Sequence, residues 1–440
     1  MLMETPAAPR SRDWTAASAY SLGFLTLISA FNYLDRSILG LVLPLIKAEM
    51  QVSDTVLGLV SGLAFVLFYS LLGIPIAWAA DRYSRRNIIA TGLAFWSAMT
   101  AMTGMVGNIV QLAIARCLMG AGEAACIAPS QSMLADLFTA ERRPLAISIF
   151  GTAFGISSLL MIPMVGWVSE AYGWRAAFAA AGAPGLIVAL LFVLTVKEPV
   201  RGGREARPRP LAAISFPDSL RALVRIPTYL YVLAGVTMMG ANVYAGSAWS
   251  ATFLQRVHGM TIGEIANMIG PVRGILGVLG VLMGGWLADR LGRRDPRWRM
   301  MVPGLLCLAV VPAEAMFLLS DTPAIWISGL ALTSLFTFAH QGPIFAVALS
   351  VVRVRMRATA VAVLVFCSAM LGQVFGPLLV GWLNDALLPS QGPTGIRYSL
   401  TIMIACALLG GIFFMLGARA YEADARRAGE DIQDTGKETP

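Results

Sequence analysis

Ala77-Trp-Ala-Ala-Asp-Arg-Tyr-Ser-Arg-Arg86 and Gly285-Trp-Leu-Ala-Asp-Arg-Leu-Gly-Arg-Arg294 are one segment written twice, identical at six of ten positions. Each copy follows the second long apolar run of its half of the chain. Fainter echoes keep nearly the same offset: Arg143 to Ala146 against Arg357 to Ala360, and Gly166-Trp167 against Gly381-Trp382. The chain is a duplicated unit, and the composition of that unit is not that of a soluble domain. Of its 440 residues 57% are hydrophobic and 13% charged, against about 25% charged in soluble domains. Runs of about 20 apolar residues cross a bilayer, and twelve can be placed, at 18–46, 55–80, 87–106, 109–134, 144–168, 174–196, 229–254, 262–288, 300–319, 325–352, 358–383 and 398–418.

The expectation is therefore an all-α integral membrane protein of twelve transmembrane helices in two pseudo-symmetric six-helix bundles. A tail (1–17), a first bundle (18–196), a polar linker (197–228), a second bundle (229–418) and a second tail (419–440) follow from it. With the amino terminus inside, 26 Lys and Arg fall in cytoplasmic loops and tails, four (Lys47, Arg175, Arg256, Arg397) fall outside and three (Arg36, Arg116, Arg273) lie within spans. This asymmetry puts both termini in the cytoplasm and reads the net charge of +8 as an insertion signal, not a nucleic-acid footprint. The five cysteines, Cys117, Cys126, Cys307, Cys367 and Cys406, sit in apolar runs without metal-ligand spacing. The first run holds charges and lacks a small-residue cleavage site, so it is a retained span and not a signal peptide.

The second copy of the repeated segment resembles the signature loop of the major facilitator superfamily, and Arg116-x-x-x-Gly120-x-Gly122-x-Ala124 resembles a second motif of that superfamily. Ala77 and Ser84 replace the usual glycines in the first copy. Asn32-Tyr-Leu-Asp35-Arg36, Gly120-Ala-Gly-Glu123-Ala, Ala128-Pro129 and Asp136-Leu-Phe together resemble the spinster-like lipid transporters. The resemblance implies a carrier that rocks two bundles about a central site, uses a proton gradient and no cofactor or metal, and works as a monomer.

Charges at bilayer depth cost at least about 2.5–3.5 kcal/mol each and are functional candidates by default. Helix rise puts Arg116 about 10 Å, Asp35 about 16 Å and Glu123 about 21 Å from the outer face. Asp35 and Arg36 point about 100° apart, and we expect Asp35 to face span four beside Arg116 while Arg36 faces the cavity or another helix. Glu123, with no adjacent cation, is then the first candidate for the proton-binding group, and Asp35 the second. The alternative is a buried ionic staple between spans one and four. Arg36 and Arg116 are candidates for an anionic head group, and Phe31, Tyr33, Tyr244 and Phe338 for its apolar part. Arg273 and His340 are secondary candidates. Arg273 and Glu314 have depths that would let them pair, but span nine, which carries Glu314, is a peripheral scaffold helix in the superfamily that the chain resembles.

Asp81 and Asp289 end spans two and eight, where a carboxylate is stabilised by the amino-terminal end of a facing helix. With Arg85 and Arg293 they form the expected cytoplasmic gate. No Walker loop, His-Glu-x-x-His helix or Ser/His/Asp arrangement is visible, which argues against an enzyme. The partners expected are protons, the lipid bilayer and either an amphiphilic lipid or a small organic anion, and the expected location is a bacterial inner membrane.

Overall fold

The structure, a computed structural model, describes residues 14–139, 142–201, 216–353 and 356–437. Arg10, Arg12 and Asp13 of the expected tail, and linker residues 202–215, lie outside the described residues. Those described form helices and no strand. We number the helices α1 (Ala16–Met50), α2 (Asp54–Arg82), α3 (Arg85–Thr103), α4 (Ile109–Leu137), α5 (Arg143–Thr195), α6 (Phe216–Leu223), α7 (Pro227–His258), α8 (Ile262–Gly292), α9 (Trp298–Leu319), α10 (Pro323–Ser350), α11 (357–391) and α12 (Ile396–Lys437). Seven helical stretches are long and apolar enough to cross a membrane, or eight if α6 and α7, bent by 93°, are counted as one broken span. Two of the seven, Arg143–Thr195 at 53 residues and Thr359–Ala428 at 70, far exceed the roughly 20 residues of one crossing. The first folds back at Gly173, whose φ of 82° is open to glycine but strained for side-chain-bearing residues.

Local sequence explains where the helices start. Thr15 and Ser18 form a capping box for α1, Thr261 and Glu264 one for α8, and Ser53, Ser84 and Asn108 cap α2, α3 and α4; each side chain answers amide groups that have no partner within the helix. Among the described residues, those with positive φ, Gln51, Gly173, Gly259 and Gly392, all lie at chain reversals on one end of the bundle. We call this the distal end and the end nearer the termini the proximal end.

The apolar core decides the shape. One cluster at the distal end takes side chains from both halves, among them Ile38, Leu57 and Phe178 of the first and Trp249, Ile265 and Leu400 of the second. Toward the proximal end it divides: one cluster, with Trp96 and Phe138, belongs to the first half, and another, with Tyr229 and Phe414, to the second. The halves are welded distally and parted proximally. Along the weld α2 meets α11 so closely that a Cβ on Gly62 would collide with the Gln373 carbonyl. Single π-helical turns at Val60–Ala64, Ser157–Met161 and Ser368–Gly372 re-aim α2, α5 and α11 along the same weld.

Candidate functional site

Asn32 and Arg36 are four residues apart and share a face of α1. From it Asn32 Nδ2 and Arg36 Nε each donate to Oε2 of Glu123 at 2.9 Å. Glu123 is fully buried and Arg36 keeps 22% of its side chain exposed, so the pair joins an inaccessible carboxylate to an accessible cation. Glu123 is the last residue before α4 opens into a turn at 124–126. Pro129 explains that turn, because it lacks the amide that the Ala125 carbonyl would accept and its ring crowds that carbonyl.

This geometry corrects the expected orientation, and with it the expectation that Glu123 has no adjacent cation: Arg36 is that cation. Arg36, not Asp35, faces α4, because the interior face of α1 is the one that carries Asn32. Asp35, about 100° round the helix, turns toward Thr100 and Trp96 of α3, and its Oδ1 is buried without a hydrogen-bond partner. Arg116 reaches the backbone carbonyl of Asp35 at 3.1 Å. Both guanidinium groups lie against the Phe65 ring, at 5.1 Å for Arg36 and 5.2 Å for Arg116, and Arg36 also lies 4.7 Å from the ring of Tyr69. Phe65 and Tyr69 had no place in the sequence reading; only the aromatic i, i+4 spacing on α2 hinted at them.

Of the aromatic candidates, Tyr33 packs edge-on against Phe154 of α5 at 5.6 Å, and Phe154 against Phe338 at 4.8 Å, a ring path from α1 to the second half. Tyr244 approaches Arg36 from α7. Phe31 stands apart from these rings, buried in the shared distal core. His340 sits at the break in α10 beside Phe414. Arg273 donates to Ser250 Oγ at 2.7 Å, and no ion pair joins it to Glu314 among the described residues; Glu314 instead takes the Asn242 amide at 2.8 Å.

The strongest contacts between the halves are distal. Asp54 is 1% exposed and receives both terminal nitrogens of Arg256, at 2.6 and 2.9 Å, together with Lys47. Asp385 of α11 accepts the backbone amides of Asp54 and Thr55 at 2.9 and 2.8 Å, capping α2 from the opposite half. Sequence reading missed this latch, although Lys47 and Arg256 are two of the four cations it had counted outside. At the proximal end, Arg85 is 3% exposed and is bound within its own half, to Asp136 at 2.5 Å and Glu198 at 2.9 Å. Asp81, Asp289 and Arg293 are exposed, and among the described residues none of the three pairs across the halves.

The family model of the Major Facilitator Superfamily matches residues 25–377. The chain belongs to the major facilitator superfamily. An MFS-type efflux pump of Mycolicibacterium smegmatis is 32% identical over 415 residues, 94% of each chain. Human protein spinster homolog 1 is 29% identical over 447 residues, covering 94% of this chain and 83% of that one. Among solved structures, a bacterial homologue of the human lysosomal transporter Spinster, inward-facing and unoccupied, has a TM-score of 0.83 at 26% identity over 93% of this chain and 99% of that one. This member of the superfamily is thus a spinster-like, multi-pass membrane transporter and not an enzyme.

Proposed function

We propose that the protein is a proton-coupled secondary active transporter of twelve spans, with both termini in the cytoplasm of a bacterial cell and its spans in the inner membrane. It works by rocker-switch alternating access and moves an amphiphilic lipid such as a lysophospholipid or a sphingoid lipid. The observation that carries this reading is the Arg36–Glu123 pair: a fully buried carboxylate held by a cation that keeps part of its side chain exposed. Arg36 Nη2 and Glu123 Oε1 are buried without partners, so the pair has hydrogen-bonding capacity left inside it for a proton, and the exposed part of Arg36 can draw an anionic head group. A head group drawn to Arg36 weakens its hold on Glu123, which then takes the proton; loss of that proton restores the pair and ejects the head group. Asp35 is the second proton candidate, Arg116 the second cation, and Tyr33, Tyr244, Phe154 and Phe338 offer apolar surface for a chain.

The undivided distal core and the parted proximal cores support alternating access, with the proximal side open to the cytoplasm. In the opposite state Asp81 and Asp289, with Arg85 and Arg293 beside them, close the proximal end. The relative described as an efflux pump favours a second reading, export of small organic anions or drug-like compounds through the same site. Proteoliposomes carrying a pH gradient separate the two when a radiolabelled lysophospholipid competes with organic acids. Glu123→Gln abolishes gradient-driven uptake while leaving binding in place; full proton-driven transport by that variant refutes the coupling assignment.

A further inference from the structure

Asn32 has a counterpart. Asn242 stands 210 residues later, between the 208 that separate Asp81 from Asp289 and the 214 that separate Arg143 from Arg357, and it lies on α7, the first long helix of the second half. Like Asn32 it is buried, and like Asn32 it donates Nδ2 to a buried glutamate of its own half: Glu314 Oε2 at 2.8 Å, against 2.9 Å for Asn32 and Glu123. The two glutamates come from different helices, α4 and α9, so the pairing is a convergence on one arrangement and not a copied motif.

We infer that Glu314, oriented by Asn242, is a second proton-binding site, one in each half of the carrier. Glu314 is 7% exposed and lies five residues before the end of α9, Leu319; an ionised carboxylate buried in this way costs several kcal/mol unless it is paired. Among the described residues no cation stands within salt-bridge reach of it. The charged and titratable groups facing it are Arg273 from α8 and the Cys406 thiol from α12; α7 contributes the neutral Asn242, and α10, also packed on α9, sends none. Arg273 is committed to Ser250 Oγ.

A metal ion does not fit this position. Asn242 spends one amide hydrogen on Glu314 and the other on the Met403 carbonyl at 3.1 Å, so its nitrogen, and not its oxygen, faces the carboxylate. A cation needs several oxygen ligands, whereas a proton needs one oxygen and a neighbour that tolerates both charge states, as a primary amide does. Glu314 differs from Glu123 in having no fixed cationic partner. Its proton is therefore not traded for a head group, and it sets the charge of the second half, not the occupancy of the Arg36 site.

Infrared difference spectroscopy on the purified full-length protein, taken from about pH 9 to about pH 4 without substrate, tests the inference. In the wild type protonated-carboxyl bands grow in as pH falls; Glu314→Gln removes one of them, and one proton from the uptake measured over the same range, and that same band persists in Glu123→Gln. Asn242→Ser shifts its frequency without removing it, and serves if Glu314→Gln fails to fold. Identical spectra for wild type, E314Q and N242S overturn the inference. No gradient or transported compound enters the measurement, so its outcome is separate from that of the flux assay.

Discussion

Arg256→Gln tests the distal latch. Asp54 is 1% exposed and shared between Arg256 and Lys47, so the substitution leaves a buried carboxylate with one cation in place of two. Removing a partner from a buried pair costs about 3–5 kcal/mol; with Lys47 still in place we take about half, ~2 kcal/mol. The cost falls on the distally closed state alone, because opening carries Asp54 and Arg256 apart with their halves and lets water replace the lost partner. At about 1.4 kcal/mol per tenfold, the distally open fraction rises roughly 30-fold. Leu57→Cys reports it: Leu57 is 1% exposed within the shared core and a thiol placed there meets a membrane-impermeant reagent only when that core parts. The five native cysteines are replaced in the background. R256Q should label roughly 30-fold faster, and Lys47→Met added to it faster again. A folded R256Q protein that labels at the wild-type rate refutes the latch.

Three further outcomes follow from the same geometry. Gly62→Ala drives a methyl into the Gln373 carbonyl and weakens distal closure by about 1–3 kcal/mol, speeding labelling of the Leu57→Cys reporter, whereas Gly73→Ala, which meets nothing within 4 Å, does not. Asp385→Ala removes the acceptor that caps α2 across the halves and costs about 0.5–2 kcal/mol, an acceleration no larger than that of R256Q. Glu198, beyond the end of α5, is pushed toward protonation by burial, but the Arg86 amide, Arg85 and Ser84 outweigh this and hold its pKa below the usual carboxylate value. Its stabilisation is therefore complete above about pH 4.3 and lost as pH falls through the lowered value. Glu198→Gln should reduce thermal stability by about 1–3 kcal/mol at neutral pH, with the gap to wild type closing in acid, as melting curves across pH would show.

How much of this was legible in the sequence depends on the distance over which each feature is specified. The repeat, the apolar runs and the signature loops are local or periodic, and they sufficed for the family and the helical architecture. Membership of the site was legible too, since Asp35, Arg36, Arg116 and Glu123 stood out as charges at depth. Their pairing was not: Asp35 and Arg36 are adjacent, and which one faces α4 depends on helix rotation, which only packing fixes. Asn32, read as part of a motif, was the residue that marked the interior face. The distal latch escaped because Lys47 and Arg256 were counted as topological exceptions and not asked what they bind. Glu314 escaped because an isolated charge on α9 looked structural until Asn242 was seen to reach it.

The latches and the core share one logic. α2 and α8 each begin at the distal weld, and each meets there a carboxylate from the fifth long run of the opposite half: Asp385 over the first turn of α2, and Glu170, whose carboxylate fills the space a Cβ on Gly263 would take, over the first turn of α8. A negative group at a helix amino terminus is stabilised by about 0.3–1 kcal/mol, modest for each but placed twice about the pseudo-symmetry axis. The same two helices end proximally in Asp81 and Asp289, the aspartates proposed to close the other side against helix starts. One pair of helices thus takes carboxylates at its amino ends in one state and presents them from its carboxyl ends in the other. In the proposed cycle the distal latches act together with the shared distal core, which takes side chains from both halves and parts on opening. On the proposed function, a proton and a head group at Arg36 and Glu123 are what tip this balance between the two ends.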